Sequence, residues 1–297
     1  MKQRLLILLL IWCSPVWSKV YSNSISKRTK IGQRQWQGMS SNTGDNFGGW
    51  LVRVRSGGAD TLSCGGSYYA PILVISSANC IHPFRYQLDD ASVVTTANAE
   101  DEDYNFSLVD TVYSPNEFVE YRTNMDIALV RLTTPLKGTM TEFIKLTNTW
   151  ATSEMEFSTF GWGYDSLDVQ PATDEPRMVQ NLLFVGLDKC KKLFQAGFVA
   201  NTVMCVTLPI DMFECIYDGG SPLVWSTELF GIASVGSTCR NTSNPGIYTN
   251  LMKLKPFISR IERGVRSGQL PRAIFTRLNH KKQINPKHQN KKAKPIK

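Results

Sequence analysis

Histidine is scarce in this chain. Among 297 residues only His82, His280 and His288 occur, and the last two sit near the C-terminus. Imidazole acid–base chemistry therefore has one candidate in the body of the chain, His82. None of the seven cysteines, at 13, 64, 80, 190, 205, 215 and 239, forms a C-x-x-C pair. That argues against a thiolate metal site, so no metal is expected and nothing calls for a cofactor. No apolar run is long enough to cross a bilayer; even Leu5–Trp12 is too short. Asp and Glu are missing from residues 265–297, which hold ten Lys and Arg. The formal charge of +8 thus comes from this end, because residues 1–264 carry 23 basic against 25 acidic side chains. Apolar residues thin out after Leu278, and such a segment cannot bury enough surface to fold alone.

The N-terminus reads as a secretory signal over residues 1–18. Lys2 and Arg4 precede the apolar core Leu5–Trp12, and Val16-Trp17-Ser18 offers a cleavage site. Cys13 falls inside it, leaving six cysteines, an even number suited to an oxidising compartment, with their connectivity open. Residues 19–46 are polar and read as a short pro-segment. From Gly49 onward the pattern is β: Trp50–Arg55, Ile72–Ile75, Val93–Val94, Phe106–Val112 and Ile127–Leu132 come first. Val179–Leu187, Val203–Val206, Pro222–Trp225 and Phe230–Val235 follow. Leu254, Phe257, Ile258, Ile261 and Val265 then recur at helical spacing, with Pro256 near the start. Asn105-Phe106-Ser107 and Asn241-Thr242-Ser243 are glycosylation sequons.

Five stretches share one further pattern. They are C-G-G-S-Y-Y-A-P-I-L-V-I-S-S-A-N-C over 64–80, N-M-D-I-A-L-V-R-L over 124–132, F-G-W-G over 160–163, C-I-Y-D-G-G-S-P-L-V over 215–224, and P-G-I-Y-T over 245–249. In this order they resemble the signature segments of chymotrypsin-like (S1 family) serine proteases, across about residues 48–265. The resemblance implies an all-β fold of two antiparallel Greek-key β-barrels with a C-terminal helix, a trypsin-like domain over 47–265 and a basic, disordered tail over 266–297. It implies disulfides Cys64–Cys80, Cys190–Cys205 and Cys215–Cys239.

The same alignment puts unusual residues at the catalytic positions. The family's histidine position holds Asn79, its aspartate Asp126, and its nucleophilic serine Gly219. An amide does not accept a proton near neutral pH, and glycine has no atom with which to attack a carbonyl. Tyr217 replaces a glycine of the oxyanion loop, and Ser221 comes two residues late. Phe213 stands at the base of the specificity pocket, whose other positions are Ser234, Gly236 and Gly246. Val235 replaces a tryptophan of the cleft wall. No I-V-G-G activation sequence occurs; Lys30–Ile31 is the nearest site, so the chain is expected never to be activated, with Asp218 retained for another pairing.

These readings imply a secreted, catalytically silent serine protease homologue that acts by binding, as cofactor, decoy or scaffold. Its expected partners are secreted proteins, active serine proteases among them, in seminal fluid or, as the alternative, in an immune cascade. The tail is expected to engage glycosaminoglycan or another anionic surface.

Overall fold

The computed structural model describes residues 48–56, 63–95, 106–137, 141–161, 176–208, 214–215, 218–234, 239–240 and 245–277. The first six strands are β1 (Leu51–Arg55), β2 (Ser63–Ala70), β3 (Leu73–Ser76), β4 (Ser92–Thr95), β5 (Phe106–Tyr113) and β6 (Ala128–Leu132), with β-branched residues prominent in β1, β3, β4 and β5. They pair antiparallel in the order β5-β4-β1-β2-β3-β6, and a further β5–β6 ladder closes the ring. Closure removes the exposed edges that would otherwise template aggregation. Val52, Val54, Tyr68, Val74, Val93 and Val130 fill the interior.

The second half repeats the plan. After β7 (Lys145–Leu146) come β8 (Glu156–Gly161), β9 (Arg177–Val185), β10 (Val203–Thr207), β11 (Glu214–Cys215), β12 (Pro222–Trp225), β13 (Glu228–Ala233), β14 (Cys239–Arg240) and β15 (Gly246–Asn250). The ring runs β12-β8-β9-β10-β15-β13 and closes through β12–β13. Strand β7 adds in parallel to β13, while β11 and β14 form a separate pair. Phe157, Leu182, Met204, Val206, Phe230 and Tyr248 are its core. Trp50 and Phe160, both fully buried, meet edge to face at 5.5 Å between the two barrels.

Among the described residues three α-helices complete the fold: α1 (Ala78–Ile81), α2 (Leu187–Leu193) and α3 (Leu251–Ser267). Asn250 caps α3 by accepting from the Met252 N–H at 3.1 Å, and Gly268 ends it in the left-handed conformation at φ 71°. The buried face of α3 is Leu254, Phe257, Ile258 and Ile261, as their spacing predicts.

Cys64–Cys80 and Cys190–Cys205 are disulfides. The second closes a short loop, worth about 3 kcal/mol in the chain-entropy picture. Cys215 and Cys239 face each other in the register of β11 and β14.

Two expectations need correction. The strand expected to reach Leu187 ends at Val185, and Leu187 opens α2 instead. The tail expected from residue 266 begins later, because α3 continues to Ser267 and residues 274–277 return to the first barrel as β16 (Phe275–Thr276). Phe275 is buried in the first core, Ile274 N–H donates to Val112 O at 2.9 Å, and Arg277 Nε donates to Val109 O at 2.8 Å. Composition hid this because one buried aromatic ring and a short ladder suffice to hold the segment. The leader, the pro-segment and residues 278–297 lie outside the described residues.

Candidate functional site

The three triad positions sit where the barrels meet. Asn79 lies in α1, just after β3. Asp126 precedes β6, and Gly219 precedes β12. Each of these positions has a structural task.

Asp126 is fully buried, so its carboxylate needs donors within the protein. Oδ1 accepts from the Ser77 hydroxyl and from the Asn79 backbone N–H, both at 2.8 Å. Oδ2 accepts from the Ser234 hydroxyl at 2.5 Å. Its own carbonyl accepts from Thr249 Oγ1 at 2.7 Å. Ser234, expected as a pocket position, therefore serves the carboxylate. Ser77 was not foreseen; it is the N-cap of α1, accepting from the Cys80 N–H at 3.2 Å, and a serine just before a short helix is the signal that could have found it.

The Asn79 carboxamide is directed elsewhere. Its Nδ2 donates to Arg122 O at 2.7 Å, and its Oδ1 accepts from the Tyr121 N–H at 2.6 Å. Tyr121 holds a left-handed backbone at φ 62°, a conformation costly for a residue with a bulky side chain. The side chain at the histidine position thus clamps a strained turn. The following residues are tied to the second barrel: Thr123 Oγ1 donates to Phe198 O at 2.6 Å, and the Met125 N–H donates to Thr202 Oγ1 at 3.0 Å.

Gly219 has no side chain, and little space exists for one. A Cβ built there would lie 2.9 Å from Cys80 Cβ, part of a disulfide that cannot swing away. Its carbonyl accepts from the Gly65 N–H at 3.0 Å, joining the loop to β2. Gly220 adopts φ 90°, and a Cβ there would come within 2.3 Å of Gly65 O, so only glycine fits. Ser221 is fully buried with its Oγ unpartnered, packed against Gly65. Asp218 is buried, and its carbonyl accepts from the Ser221 N–H at 3.2 Å.

His82 stands just past the disulfide in a short 3₁₀ turn. Its ring packs edge-on against Phe118 at 5.5 Å, and Nδ1 lies 3.3 Å from Glu120 Oε2. Its contacts are those of a packing residue. Gly246 begins β15 and pairs with Val206. Phe213, Tyr217, Val235, Gly236 and the sequon residues Asn105 and Asn241 lie outside the described residues. Among the described residues no cluster of His, Cys, Asp or Glu could hold a metal ion, and no helix is long and apolar enough to cross a membrane.

Comparison with known proteins agrees with this architecture. A profile described as Trypsin matches residues 29–258, starting ahead of the domain boundary expected at 47. The chain is 31% identical to Trypsin iota of Drosophila melanogaster over 201 residues, covering 66% of this chain and 77% of that one. It is 26% identical to Seminase of the same fly over 220 residues, covering 73% of this chain and 78% of that one. Among solved structures, it resembles neuropsin, a serine protease expressed in the limbic system of mouse brain, with a TM-score of 0.62 and 20% identity, over 72% of this chain and 94% of that one. A scabies mite inactivated protease paralogue matches with a TM-score of 0.59 and 23% identity, over 72% and 95%. Such low identities speak for the shared fold alone. On the profile match, which spans most of its length, this chain belongs to the trypsin family.

Proposed function

We propose that this protein is a catalytically silent member of the trypsin family that acts by binding. One observation carries the reading. The side chain at the histidine position is a carboxamide spent on the backbone of residues 121 and 122, and the serine position has no side chain at all. Losing the nucleophile or the base of a serine protease lowers turnover by about 10⁶-fold, equivalent to roughly 8 kcal/mol of barrier. Here both are replaced.

The binding role follows from what is retained. The two closed barrels, the disulfides Cys64–Cys80 and Cys190–Cys205 and the hydrogen-bonded Asp126 carboxylate support a retained protease scaffold. Secretion is supported by the apolar leader and by disulfides, which persist in oxidising compartments. Partners are then secreted proteins, with active serine proteases among them, for which the protein serves as cofactor, decoy or scaffold. A seminal setting fits the name of the relative Seminase. The sequons at Asn105 and Asn241 fit a glycoprotein. The test is turnover on a broad peptide library, before and after limited trypsin treatment. No turnover sensitive to serine-directed inhibitors is expected, and such turnover in either state would overturn the reading.

The basic C-terminus supports a second contact, with glycosaminoglycan or an anionic cell surface. Ten Lys and Arg with no acid over residues 265–297 suit diffuse anionic charge. A chain ending at Arg277, which keeps β16, should leave heparin resin at lower salt than the full chain. Equal elution would remove the tail from the binding role.

A further inference from the structure

On the second barrel the structure has a small cavity of about 130 Å³. Its apolar lining includes Phe184, Leu187 and Met204, and Trp150 flanks it. Trp150 is 57% exposed, an unusual position for so large an apolar side chain. The cavity approaches the size of one that accepts benzene, roughly 150 Å³.

One lysine lines it, and two more bond asparagines nearby. Lys253 lines the cavity and donates to the Asn201 carbonyl. Lys191 donates to Asn201 Oδ1 at 2.6 Å, so two ammonium groups converge on one asparagine. Lys255 donates to Asn148 Oδ1, two residues before Trp150. Each ammonium has three N–H donors, and the protein fills one in each case with a neutral amide oxygen. None of the three forms an ion pair among the described residues, and the first turn of α3 holds no acid. Partial burial and then the Lys191 charge press Lys253 below the ordinary lysine range. An anion at the rim would relieve the second effect and compensate the first.

We propose that this cavity binds a small organic anion, a carboxylate carried on an apolar body about the size of a benzene ring. The ring lies on the Phe184, Leu187 and Met204 surface against Trp150. The carboxylate meets Lys253 and Lys191.

Calorimetry with 4-phenylbutyrate and its neutral amide on the full chain tests the idea. The carboxylate should bind about tenfold tighter than the amide, the worth of one charge-assisted hydrogen bond. Lys253→Met should abolish that preference, and Lys191→Met, which leaves the cavity wall untouched, should reduce it. Trp150→Ala should weaken both ligands by about fivefold through lost ring contact. Lys137→Met, an exposed control, should change neither. Equal binding of carboxylate and amide, a preference that survives Lys253→Met, or no binding up to about 10 mM would each overturn the proposal.

Discussion

Asn79 donates its backbone N–H, and not its carboxamide, to Asp126. The 2.8 Å bond from N to Oδ1 keeps the two residues adjacent, while the side chain reaches the backbone of Tyr121 and Arg122. The backbone of Asn79 is therefore held against the Asp126 carboxylate, while its side chain is engaged by the loop at residues 121 and 122. A carboxamide suits this task, since it offers a donor and an acceptor at once.

Removing the clamp should destabilise the fold locally. Asn79→Ala leaves the Tyr121 N–H and the Arg122 carbonyl without their partner and is expected to cost about 1–2 kcal/mol. Hydrogen exchange should show faster exchange at residues 119–123, with the barrel cores unchanged. Asn79→Asp, which keeps the acceptor and loses the donor, should lie between.

Rebuilding the triad should not rebuild a protease. Asn79→His with Gly219→Ser restores base and nucleophile beside Asp126, yet a Cβ at 219 starts 2.9 Å from Cys80 Cβ. That overpacking is expected to lower stability by about 1–3 kcal/mol, read as a lower urea midpoint. Tyr217 would still replace a residue of the oxyanion loop, whose donors supply about 3 kcal/mol each. Peptide cleavage by the double variant at the rate of a digestive protease would contradict this.

The extent of the folded domain can be tested by truncation. A chain ending at Ser267 loses Phe275 from the first core and should lose about 3 kcal/mol or more in stability. One ending at Arg277 should unfold at the urea concentration of the full chain. Equal stability of the two truncations would show that β16 contributes nothing.

One surface pair has a clear pH signature. Lys145 Nζ lies 2.5 Å from Glu228 Oε1, and that hydrogen bond holds Glu228 below the usual carboxylate range. A depressed carboxylate contributes stability above its unfolded value, and the contribution disappears as pH falls through the folded one. Lys145 is 65% exposed, so solvent screening limits the pair to about 0.5–1 kcal/mol. Lys145→Met should be less stable at neutral pH, and the difference should close on acidification.

The barrels were legible in the sequence wherever apolar residues formed continuous runs, as in β3 and much of β6, and α3 was legible from its repeating apolar face. The positions of Asn79, Asp126 and Gly219 could be read because their motifs align without gaps. What Asn79 does could not, since its partners lie 42 and 43 residues away and are backbone atoms that carry no residue-type signal. Strand β16 was hidden for a related reason. Its two-residue ladder is too short to give a strand pattern, and a single buried ring decides where it goes. Ser234 was read for the pocket because motif position alone does not reveal which acceptor a hydroxyl will choose.

The most direct measurement is labelling of the purified, full-length protein with a fluorophosphonate probe, followed by peptide mapping of any adduct. A silent site predicts no specific adduct, because position 219 has no hydroxyl and the Ser221 hydroxyl is buried. A stoichiometric adduct at Ser221 or any other serine, blocked by prior denaturation, would contradict it.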